Sequence, residues 1–160
     1  MDLRQIIRAE KQDVTITKAW ETGPVPRAKF PLLKGKVKFG KGWEWRVASF
    51  FALGNEFVVL IALCVEKSYY RCDLALKCED GALKVLCCHE LHMEHKGWHC
   101  HLVRGDVRET YPGVMRDKDR MRSWPSRGTL SPDTPFPITK SNAVTLAAAR
   151  YRFEAGGDLL

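Results

Sequence analysis

Histidine is missing from the first 88 residues and from the last 59 of this 160-residue chain. Other signals are missing too, and each absence removes a class of protein. No two cysteines are separated by two residues, so neither a zinc ribbon nor a thioredoxin-type dithiol is encoded. The longest apolar run, Phe57 to Val65, is less than half of the roughly 20 residues that span a bilayer. Charges at Asp2, Arg4 and Arg8 interrupt the place where a secretory signal would put its apolar stretch, so the expectation is a cytoplasmic protein with reduced thiols and no membrane partner. Gly35-Lys36 and Gly40-Lys41-Gly42 lack the spacing of a phosphate-binding loop and read as turns. Ser123, Ser126 and Ser131 stand in polar sequence without a nucleophile signature. There is no internal repeat and no low-complexity tract.

What remains is one ordinary core's worth of sequence, read as a single domain over 1–160. The net charge is +7, from 26 Lys and Arg against 19 Asp and Glu. A basic, mixed surface favours an anionic partner, either nucleic acid, with RNA preferred, or an acidic protein surface.

The local pattern predicts an α+β fold. Asp2 caps a short helix with Leu3, Ile6 and Ile7 on one face. Val14 to Trp20 alternates as an edge strand, ended by Gly23-Pro24-Val25-Pro26. From Trp43 to Val103, β-branched and aromatic segments of about ten residues are separated by turn signals at Gly54-Asn55, Lys67-Ser68, Asp80-Gly81 and Lys96-Gly97, which predicts an antiparallel meander of about five strands. In it, Phe57 to Val65 is apolar on both faces and calls for cover on both sides, assigned to the terminal helices. Tyr69 to Cys78 alternates, with Arg71, Asp73 and Lys77 on a solvated face. Trp43 and Trp45 read as a packing pair. Cys87-Cys88 read as one buried and one surface thiol. A basic, proline-containing loop is expected at about 104–138, and a final helix from about Ser141 to Glu154, capped by Thr139 or Ser141.

The chemistry concentrates in a segment where all five histidines occupy thirteen positions, His89 to His101, with Cys87, Cys88 and Cys100 among them. With Lys96-Gly97 as a two-residue turn, Glu94 would lie opposite His99, His92 opposite His101 and Glu90 opposite Val103. One face would carry Cys88, Glu90, His92, Glu94, His99 and His101, and the core face Cys87, His89, Leu91, Met93, Cys100 and Leu102.

Three imidazoles, His92, His99 and His101, then converge as candidate zinc ligands, with Glu90 or Glu94 as a further ligand or an acceptor behind them. Without metal, His92, His99 and His101 with Glu94 would serve as acid and base in phosphodiester cleavage, with Lys96, Arg104 and Arg108 holding the phosphate. Tyr69, Tyr70, Trp98 and Tyr111 offer faces for bases.

Three functions follow as expectations: a small toxin-like ribonuclease; a non-catalytic inhibitor or adaptor docking through Arg104, Arg108, Arg116, Arg120 and Arg122; and a zinc-dependent hydrolase. The cofactor is accordingly none or a single zinc.

Overall fold

The computed structural model describes residues 1–32, 37–92, 97–109, 121–123 and 137–156, the last strand as backbone only. Its elements in chain order are helix α1 (Leu3–Arg8), β1 (Gln12–Ile16), β2 (Glu21–Thr22), β3 (Glu44–Ala52), β4 (Asn55–Cys64), β5 (Tyr69–Lys77), β6 (Leu83–His92), β7 (Gly97–Val103), β8 (Met121–Ser123) and helix α2 (Lys140–Tyr151).

The class is α+β, and the expected five-strand meander is β3 to β7, each antiparallel to the next. The sheet is larger than expected. β1 and β2 both pair with β3 at one edge, and β8 pairs with β7 at the other, so eight strands form one sheet among the described residues. β8 rises within the basic stretch read as loop, where three ladder residues lie among arginines and prolines that hide any alternation.

Local sequence explains the joints. Asp2 and Gln5 close a reciprocal capping box on α1, and Thr139 and Asn142 do the same on α2. The β3–β4 hairpin turns on Leu53-Gly54, both at positive φ, one residue before the expected Gly54-Asn55. Leu53 accepts a left-handed conformation there because the primed turn matches strand twist.

β4 is covered on both faces, but not by one helix on each. Phe57, Val59, Ile61 and Leu63 face a core that includes Leu3 and Ile6 of α1 and Ala143, Val144, Ala147 and Tyr151 of α2. Val58, Leu60 and Ala62 face Val25, Phe30, Leu32, Val37 and Trp45. Both helices therefore lie on one side. The other is covered by the chain between β2 and β3, whose apolar residues are too irregularly spaced to signal a covering layer. Tyr151 ties α2 to the sheet with its hydroxyl donating to Cys72 O at 2.9 Å.

No helix among the described residues is long and apolar enough to cross a membrane. All six cysteines are free thiols, and Cys87 and Cys88 are both buried, which corrects the expected surface thiol. Cys88 is covered because its face carries a buried polar cluster instead of solvent.

Candidate metal centre

The covering segment leaves the β5–β7 part of its face to polar residues, and strand register determines which meet. Glu90 pairs with His99, Cys88 with His101, His92 with Gly97 and His89 with Cys100. The register differs from the expected one by four residues. Because four is even, every described side chain of the hairpin keeps its predicted face. Cys88, Glu90, His92, His99 and His101 share one side, and Cys87, His89, Leu91 and Cys100 lie in or against the core. The shift changes the neighbours: Glu90, not Glu94, stands opposite His99.

Glu90 Oε1 lies 3.5 Å from His101 Nε2 and 3.7 Å from His99 Nε2. One ligand atom from each of the three residues falls within 4.8 Å of the others. Tetrahedral ligands at about 2.1 Å from a zinc ion stand about 3.4 Å apart, so the two carboxylate–imidazole separations are close to those of a shared ion, and the group could hold one. His92 is not in that group. Its ring meets His99 edge-on, with centroids 4.7 Å apart, beside the centre.

The cluster continues into β5. Arg71 is paired with Glu90 and Asp73 with Cys88 in the ladder. The Arg71 guanidinium donates to both Asp73 oxygens, at 2.8 and 3.2 Å, and stands 3.9 Å from Glu90 Oε2. Asp73 is fully buried and the Glu90 side chain is 4% exposed. Burial works against the Arg71 charge, but Asp73 and Glu90 outweigh it and hold the group more firmly protonated than usual. Burial and Asp73 push the Cys88 thiol well up, so it stays neutral. Two buried carboxylates thus face one guanidinium.

Neither Arg71 nor Asp73 appeared among the candidate residues, because their alternation read as a wet strand face. The signal was there: opposite charges two apart on a strand share a face and can pair there. His89 lies on the other side of the sheet, packed on Trp98 at 4.7 Å between ring centroids. Burial, then Arg150, pushes its pKa down to about 3, so it is a neutral core residue.

No family model, curated protein or solved structure matches the chain. The functional reading therefore rests on these residues.

Of the phosphate contacts expected from sequence, the described side chains are Arg104 and Arg108. Arg108 is ion-paired with Asp106 at 2.6 Å and its carbonyl accepts from Lys84, at the opposite end of β6 from His92. Arg104 is exposed just after β7. The backbone of Arg122 pairs with Leu102. Glu94, Lys96, Tyr111, Arg116 and Arg120 lie outside the described residues. A cavity of about 1050 Å³ opens near β1, lined by Lys11, Arg46, Arg152 and Glu154 among others, but it holds no histidine and is separate from this centre.

Proposed function

We propose that the chain is a metal-dependent phosphodiesterase, with one divalent transition ion, zinc by first choice, held by Glu90, His99 and His101 and with RNA as the favoured substrate. The observation that carries the reading is the placement of one carboxylate oxygen 3.5 and 3.7 Å from two imidazole nitrogens. Two histidines and a carboxylate leave a coordination position for water, whose pKa such a site lowers to about 7. Arg71 and Asp73 hold Glu90 from behind. His92, in contact with His99, supplies the acid for the leaving oxygen. The net charge of +7 favours a polyanion as substrate.

The same contacts between one carboxylate oxygen and two imidazoles support a second reading, in which a proton takes the place of the ion and His99 and His101 act as an acid–base pair on RNA. Elemental mass spectrometry of the purified protein, together with cleavage of labelled RNA with and without a chelator, separates the two. The metal reading expects about one ion per chain, lost together with cleavage in His99→Ala/His101→Ala. Cleavage by metal-free protein that survives the chelator would leave the acid–base pair. RNA left intact by both the metal-loaded and the metal-free protein would end both.

A further inference from the structure

Aromatic rings run in an unbroken row across the sheet into the metal centre. Phe39 stacks on Trp43 at 5.0 Å between centroids, Trp43 meets Tyr69 at 6.2 Å, Tyr69 meets His92 at 6.2 Å and His92 meets His99 at 4.7 Å. All five rings are partly exposed. The aromatic residues that build the core, Phe30, Trp45, Phe50, Phe57, Tyr70, Trp98, Tyr151 and Phe153, are at most 6% exposed, whereas Phe39 and Trp43 pack against it and stay partly exposed. The row is thus a surface feature that starts in the covering segment, crosses β5 and β6, and ends at a ligand.

We infer that Trp43, Tyr69 and His92 form a base-stacking track that leads one strand of RNA to Glu90, His99 and His101. The inference rests on the phosphodiesterase reading and names the form of its substrate. Every nucleobase has a π-face, so such a row accepts a strand without reading its sequence. The 6.2 Å steps exceed the roughly 3.4 Å step of a duplex strand, so the bases are splayed, each against its own ring.

A cleft of about 550 Å³ opens beside Trp43, lined in part by Phe39, Lys41, Val65 and Glu66. That is within the size range of small-molecule pockets and admits a nucleotide at the entrance. Lys38, Lys41 and Lys67 are exposed next to the row in sequence. Of the two acids at the cleft, Glu44 is neutralised by Lys140 at 2.7 Å, which leaves Glu66 as the one that opposes a polyanion.

The test is fluorescence anisotropy of a labelled single-stranded RNA of about ten nucleotides, within the site sizes of single-strand binders, on chelator-treated protein so that the probe stays intact. Trp43→Ala and Tyr69→Ala are each expected to weaken binding about 5- to 150-fold, the range for one lost base stack. Trp43→Phe and Tyr69→Phe keep a ring and restore most of the affinity, which separates stacking from misfolding. Glu66→Gln strengthens binding, and a duplex of the same sequence binds more weakly than the single strand. Wild-type affinity in folded Trp43→Ala and Tyr69→Ala, or a duplex bound as tightly, overturns the track. So does a Trp43→Ala variant that merely shifts a dimer to monomer on size exclusion with RNA binding intact. Ring-dependent RNA binding without cleavage by the metal-loaded protein would leave the track and remove the phosphodiesterase; cleavage indifferent to both rings would do the reverse.

Discussion

Glu90 and His101 are diagonal neighbours across β6 and β7, yet their Oε1 and Nε2 lie 3.5 Å apart, closer than the 3.7 Å to His99 directly opposite. Both imidazoles therefore lean toward one oxygen, and the other faces Arg71. Glu90→Gln retains the shape and removes the charge. It should lower affinity for zinc at least as much as the loss of a supporting residue does, about 10- to 100-fold. Competition against a chromophoric chelator measures this directly, and unchanged affinity would exclude Glu90 as a ligand.

Arg71 and Asp73 make a buried ion pair in which each partner depends on the other. Removing one leaves an uncompensated charge, so Asp73→Asn should cost about 3–5 kcal/mol in urea unfolding, and the double variant Arg71→Met/Asp73→Leu, which replaces both charges by apolar side chains, less than the single. A double variant as damaged as the sum of Arg71→Met and Asp73→Leu would mean that the pair is not coupled.

The same residues show how far the sequence could be read. Period-two alternation assigned Glu90, His99 and His101 to one face and His89, Cys87 and Cys100 to the other, and the structure keeps those faces, since parity survives any even slip. It could not choose among even registers: with the turn taken at Lys96-Gly97, His92 stood opposite His101, whereas the ladder ends with His92 opposite Gly97. Alternation also reported the polarity of Arg71 and Asp73 without reporting their burial. Burial depends on what lies across the neighbouring strands, and Glu90 and Cys88 stand 19 and 15 positions away from their partners Arg71 and Asp73. The meander was legible because hairpins are local; β8 and the cover from Val25, Phe30, Leu32 and Val37 were not, because neither has a period of its own.

His89 links pH to stability. Its folded pKa is pushed down to about 3 by burial and by Arg150, and its Nδ1 is buried without a hydrogen-bond partner among the described residues. Above the unfolded value of 6.5 neither state binds the proton, so nothing is lost. Below it the unfolded chain takes up a proton that the native state refuses, and stability falls by about 1.4 kcal/mol per pH unit toward pH 3. His89→Phe, placed against Trp98 and Tyr70, should flatten the slope of unfolding free energy between pH 6 and 4 relative to wild type. Parallel slopes would show that His89 is protonated in the fold.

On the helix side of the sheet, Arg150 in the last turn of α2 brings Nη2 to 2.8 Å from Cys100 Sγ. A hydrogen bond from Cys87 and the charge of Arg150 overcome burial and hold the Cys100 thiol below the ordinary cysteine range, while Cys87, donor in that bond, is pushed well above it. Cys100 should therefore ionise before Cys87 as pH rises, seen as ultraviolet thiolate absorbance that sets in below the ordinary cysteine range. Cys100→Ser removes that absorbance. Arg150→Met shifts it to higher pH, because burial then acts without a nearby cation. If Arg150→Met leaves the midpoint in place, the guanidinium is only packing against the sulfur, and the hydrogen bond from Cys87 alone accounts for the lowered value; Cys87→Ala then becomes the variant that moves it.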